Sequence, residues 1–90
     1  MKILWDPEKA DFNYRKHKVR FSDAEPVLFD AMALSREDEA VDDEQRFVTI
    51  GVDAQNRILV VVYAHRGQDI RLISARRATK NERKSYEEGI

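Results

Sequence analysis

Seven consecutive residues, Ile58-Leu59-Val60-Val61-Val62-Tyr63-Ala64, constrain this chain more than any other feature. A strand with this pattern is apolar on both alternating faces. It needs cover on both sides and marks the centre of a sheet. Turns separate it from its neighbours. Residues 46–52 are β-rich and run into Asp53-Ala54-Gln55-Asn56, while Arg66-Gly67-Gln68-Asp69 leads into a third run over residues 70–75. Connections this short join antiparallel neighbours. Residues 32–35 are expected as a first strand before an acidic loop, and residues 2–5 are a candidate for an added edge strand.

Helices flank this block. Asp6-Pro7-Glu8 starts a helix, with Asp6 as N-cap, Pro7 at the first helical position and Glu8 in the positive first turn. The helix is expected to reach His17, with Ala10, Asn13/Tyr14 and His17 on the side facing the sheet. Lys18 stands where a helix usually places glycine. A left-handed backbone there costs lysine about 1 kcal/mol more than glycine. Ser22-Asp23-Ala24-Glu25 has the form of a capping box and predicts a second, short helix to Phe29 with Pro26 near its start. Thr79-Lys80-Asn81-Glu82 is another capping box, opening a helix that ends at Gly89 and has Tyr86 as its main apolar anchor. The expectation is one α+β domain over residues 1–90: two N-terminal helices, an antiparallel sheet of about four strands, and a C-terminal helix.

Charge is segregated along the chain. Six carboxylates and one arginine lie between Ser35 and Gln45, and seven lysines or arginines against Asp69 and Glu82 lie between Arg66 and Lys84. A second basic group, Arg15, Lys16, Lys18 and Arg20, surrounds His17. The formal net charge of −1 averages these regions, so a basic end can still set up a local field that attracts phosphate.

Several chemistries are excluded or disfavoured. The chain has no cysteine and only two histidines, which removes disulfides and thiolate sites and disfavours zinc. Its three glycines are isolated, so no phosphate loop or dinucleotide fingerprint is present. No cofactor and no metal are expected. The longest apolar run is far short of the ~20 residues a membrane span requires, and residues 1–6 do not resemble a secretory signal. A cytoplasmic protein without a membrane partner is expected.

What remains is cationic chemistry on a sheet. In the third run Arg71 alternates with Ile73 and Ala75, whereas Arg76 falls on the opposite parity. A guanidinium among apolar strand residues needs a carboxylate or a phosphate partner; Glu25 and Asp30 are the structural candidates for Arg71. Lys16, His17, Arg46, Arg71 and Arg76 could line one surface that holds a phosphodiester and stabilises charge at phosphorus during attack by a ribose 2′-OH. His17, Tyr63 or Glu82 could move the protons. For His17 the competing reading is a packed histidine stabilised by the helix dipole.

Multi-residue blocks add a resemblance. Trp5-Asp6-Pro7-Glu8-Lys9-Ala10, Asn13, Lys16-His17 and Val19-x-Phe21-x-x-Ala24 resemble the opening of the BrnT family of type II toxins. Glu44-Gln45-Arg46-Phe47, Ile50-Gly51, the stretch 59–63, and Arg71-Leu72-Ile73-Ser74-Ala75-Arg76-Arg77-Ala78-Thr79 followed by Glu82-Arg83 and Tyr86 resemble its second half. The resemblance implies a RelE-like fold and a metal-independent endoribonuclease that halts translation. It also implies an antitoxin partner with a ribbon-helix-helix DNA-binding part, the pair repressing their own operon. The toxin would be a monomer alone and a hetero-oligomer with its antitoxin. Carried over by position, the catalytic candidates are Lys16, His17, Arg46, Tyr63, Arg71 and Arg76. Lys18, Arg77, Lys80 and Arg83 are the candidates for RNA contact. Ser74, Thr79 and Glu82 look structural. Two departures stand out: Lys18 replaces the usual glycine, and residues 39–42 lack a histidine that many relatives carry in this stretch. If that histidine is catalytic, this chain is a weakened nuclease that keeps antitoxin binding and autorepression.

Overall fold

The computed structural model describes residues 1–89. Its elements, in order, are β1 (Ile3–Leu4), α1 (Pro7–His17), α2 (Phe21–Ala24), a 3₁₀ turn (Glu25–Phe29), β2 (Leu34–Val41), β3 (Glu44–Val52), β4 (Ile58–Arg66), β5 (Asp69–Arg77) and α3 (Lys80–Glu88). The result is an α+β fold with a five-stranded sheet in the order β1-β5-β4-β3-β2. The expected antiparallel sheet of about four strands is thus a mixed one of five, because β1 pairs with β5 in parallel while β2 to β5 are antiparallel. Among the described residues no helix is long and apolar enough to cross a membrane.

The apolar run forms β4, paired on both sides, as its two-faced pattern requires. One face of the sheet carries Leu59, Val61, Ile70, Leu72 and Ala75, which pack with Val19, Phe21, Ala24 and Val27 into the main core. Helix α1 lies against β5. Its Asn13 side chain donates to the Ala75 carbonyl at 2.9 Å and accepts from the Ala75 amide at 3.0 Å, and it also donates to the Val19 carbonyl at 3.0 Å. One buried amide thus satisfies a strand edge that would otherwise leave a donor and an acceptor unpaired. Asp6 caps α1 by accepting from the Glu8 amide. Lys18 ends it with φ of 60° in the left-handed region, as the missing glycine predicts.

Three further expectations are corrected. The acidic segment is not a loop: β2 runs to Val41 and joins β3 through Asp42 and Asp43, both at positive φ. Aspartate tolerates that conformation in a two-residue hairpin turn. Ser22 does not cap a helix, since α2 begins one residue earlier at Phe21 and has no side-chain cap. Burial of Phe21 and Ala24 sets where this turn starts, and Ser22 falls inside it. The matching box at Thr79 and Glu82 does form, with both of its hydrogen bonds.

The third correction bears on function. Val62 pairs with Ser74, but Tyr63 pairs with Leu72, leaving Ile73 as an extra residue in β5. Such a bulge reverses the alternation beyond it. Arg71, opposite Ala64, and Arg76, opposite Val60, therefore share a face despite their unequal parity.

Candidate functional site

The face away from the main core gathers five arginines. The ladder puts Arg36 beside Val48, Arg46 and Arg71 on either side of Ala64, Arg66 at the end of β4, and Arg76 beside Val60. Asp38, Arg46, Ala64 and Arg71 form one row across four strands.

At the hairpin end, Glu44 receives two guanidinium groups. One of its oxygens accepts from Arg71, and the other lies 3.2 Å from Arg66. Arg71 thus pairs with Glu44, not with Glu25 or Asp30. By composition the acidic segment reads as a loop, and only the hairpin register brings Glu44 here. Arg46 lies beside this pair. Its Nε atom is buried and has no hydrogen-bond partner among the described residues.

Arg76 makes a forked pair with Glu82, at 2.8 and 2.9 Å. Glu82 also accepts from the Thr79 amide at 2.8 Å. Arg76 is the chief reason that the Glu82 carboxyl falls to about 2, against an opposing push from burial. A carboxylate held this firmly is a poor proton carrier near neutral pH.

His17 ends α1, half-buried. Burial lowers its pKa, and the Lys16 and Arg76 charges add to that shift. The neutral imidazole is the dominant form at pH 7 and is suited to accepting a proton rather than donating one.

Other candidates lie apart. Tyr63 is on the helix-covered face. It packs against the main core, stacks on Phe47 and accepts a hydrogen bond from Thr49 at 3.1 Å. The structure does not bring it together with the arginines. Lys16 is exposed over the Phe12 ring, and Lys18 lies over Tyr14. Arg77, Lys80 and Arg83 are exposed around the start of α3. Tyr86 is more than an apolar anchor: its hydroxyl donates to Asp30 at 2.5 Å, and that same carboxylate oxygen accepts from the Val52 amide. This bond raises the Tyr86 phenol to about 12 and lowers the Asp30 carboxyl.

The family model for the ribonuclease toxin BrnT of type II toxin–antitoxin systems matches residues 5–82. The chain belongs to this BrnT family. The 1.1 Å crystal structure of the Brucella abortus ribonuclease toxin BrnT matches with a TM-score of 0.66 and 29% identity, covering 89% of this chain and 99% of that one. No curated protein sequence shows a significant match. As a BrnT ribonuclease toxin, the protein acts on RNA and has an antitoxin as its partner.

Proposed function

We propose that this BrnT toxin cleaves RNA on its arginine face without a metal ion. The observation that carries the reading is the convergence of Arg36, Arg46, Arg66, Arg71 and Arg76 on one side of the sheet. Arg46 and Arg71 form the charge-stabilising centre. Guanidinium groups fixed in advance stabilise the extra negative charge at phosphorus as the adjacent 2′-oxygen attacks. The 2′-oxygen–phosphorus bond forms and the phosphorus–5′-oxygen bond breaks, leaving a 2′,3′-cyclic phosphate and a 5′-hydroxyl. The 2′-OH proton leaves to a base, and the 5′-oxygen takes up a proton.

Arg71 and Arg76 are opposite residues four positions apart along β4. That backbone separation is about 13 Å at strand spacing, and the two side chains turn to different carboxylates, Arg71 to Glu44 and Arg76 to Glu82. Arg76, with Lys16 and His17 nearby, therefore holds a neighbouring part of the strand. Lys18, Arg77, Lys80 and Arg83 extend the basic path. The same reading includes a single toxin domain, a ribbon-helix-helix antitoxin, a monomeric free toxin and action in the cytoplasm.

The test uses purified, antitoxin-free toxin with end-labelled RNA in EDTA. Cleavage leaving a 2′,3′-cyclic end is expected, and Arg71→Ala or Arg46→Ala should reduce its rate about 10²–10³-fold, the usual cost of losing one charge-stabilising donor. No cleavage by folded wild-type protein would overturn the reading. One observation favours a second reading, a weakened nuclease that retains antitoxin binding and operon repression: Val41, in the stretch lacking the relatives' histidine, pairs directly with Glu44. A group unable to move protons then borders the arginine cluster. Greater cleavage by Val41→His than by wild type would support this second reading.

A further inference from the structure

Between β2 and α3 the arginine face opens into a cleft of about 500 Å³. Its floor is aliphatic: Leu34, Val48, Ile50, Val60 and Val62. Arg36 and Asp38 border one side, and Arg76, Glu82 and Ser85 the other. The opposite face of the sheet has a full helical layer. Here only α3 lies over the strands, and it contributes no buried residue. An apolar sheet face is normally completed by a second layer of secondary structure.

We infer that this cleft receives an amphipathic helix of the antitoxin, its aliphatic residues at i, i+3/i+4 spacing seated on Val48, Ile50, Val60 and Val62 beside α3. Helix-in-groove docking uses this combination of an apolar floor and a polar rim. Charge selects the chemistry of the helix. Asp38 lies 3.6 Å from Arg36, and Glu82 is committed to Arg76. Arg46, next to Asp38 in the ladder, has its buried Nε unpartnered among the described residues. A carboxylate on the incoming helix would supply that partner. A second copy of this chain fits badly, because a symmetric contact would set one arginine face against another. An RNA base fits less well as an occupant, since single-stranded bases are usually held by stacking and no aromatic ring lines the cleft among the described residues.

The inference rests on the family's antitoxin partnership and not on the proposed cleavage chemistry. The test is titration of methyl-labelled wild-type toxin with its cognate antitoxin. Shifts confined to Val48, Val60 and Val62 are expected, with Leu59, Val61 and Leu72 on the other face unmoved; the reverse pattern would overturn the inference. Ser85→Arg and Leu34→Glu should each weaken antitoxin binding at least tenfold by calorimetry, with the unfolding transition retained. Unchanged antitoxin affinity in both folded variants would overturn it. So would a wild-type dimer that dissociates on either substitution, or loss of RNA binding with antitoxin binding intact. Toxin that binds antitoxin at the cleft but never cleaves RNA would sink the cleavage reading and leave this one standing.

Discussion

The two faces of this sheet come from the same strands and serve opposite ends. One meets α1, α2 and the 3₁₀ turn and is closed by Phe21, Leu59, Val61 and Leu72. The other carries the arginines, with Val48, Val60 and Ala64 buried beneath or beside them but outside the main cluster. The division between them depends on one residue. Were Ile73 paired in regular alternation instead of bulged, Arg71 would lie on the core side and Arg76 on the other. A functional surface can thus depend on a backbone irregularity more than on the identity of the side chains it displays.

Placing a charge on the closed face should break the division outright. Leu72→Glu would leave a carboxylate without a partner inside the main core, so a loss above about 4 kcal/mol is expected. A cooperative urea transition at the wild-type midpoint would refute this. Unequal truncations sharpen the comparison. Leu59→Ala on the closed face should cost about 2–4 kcal/mol, and Val62→Ala on the open face about 1 kcal/mol; equal shifts in the urea midpoint would contradict the asymmetry.

If the arginine face holds RNA as proposed, Glu44 and an RNA phosphate compete for the same guanidinium groups. Glu44→Gln should tighten RNA binding about three- to tenfold at low salt, the scale of one charge-assisted contact. Weaker binding, measured by fluorescence anisotropy, would mean instead that Glu44 is needed to position Arg71. The smallest effect concerns acid. Because folding depresses Glu82 from 4.5 to about 2, its stabilisation is present above pH 4.5 and fades as the pH falls toward 2. Glu82→Gln should remove this pH dependence, worth about 1 kcal/mol for a partly exposed pair. An unchanged stability profile over that window would be evidence against the assignment.

The legible parts of the sequence were those governed by local rules. Asp6-Pro7, the left-handed Lys18, the two-faced β4 and the Thr79 box each follow from a few adjacent residues. The same rules failed where tertiary packing decides. Ser22 and Thr79 begin equivalent capping patterns, but burial of Phe21 moves one helix start and not the other. β2 lacked a clear strand pattern because most of its residues remain exposed, and charge made it look like a loop. Residues 2–5 are legible as an edge strand, but the parallel pairing of Ile3 with Ile70, far along the chain, leaves no local trace. For the site, the residue types of Arg46, Arg71 and Arg76 were readable. Their arrangement was not, because the bulge changes parity and the hairpin register selects Glu44. Tyr63 is a proton-moving candidate by residue type as well as by resemblance, but its strand parity places it on the closed face.

The acidic hairpin has one more consequence. β2 is one of the two outer strands of the sheet, and an outer strand offers its unpaired backbone groups to any extended chain that drifts past. Arg36, Glu37, Asp38 and Glu39 turn that edge into a guarded one. Stacking another strand there would desolvate several charges at once. The run of carboxylates that first looked like mere solvated loop is also what discourages this small sheet from growing into an aggregate.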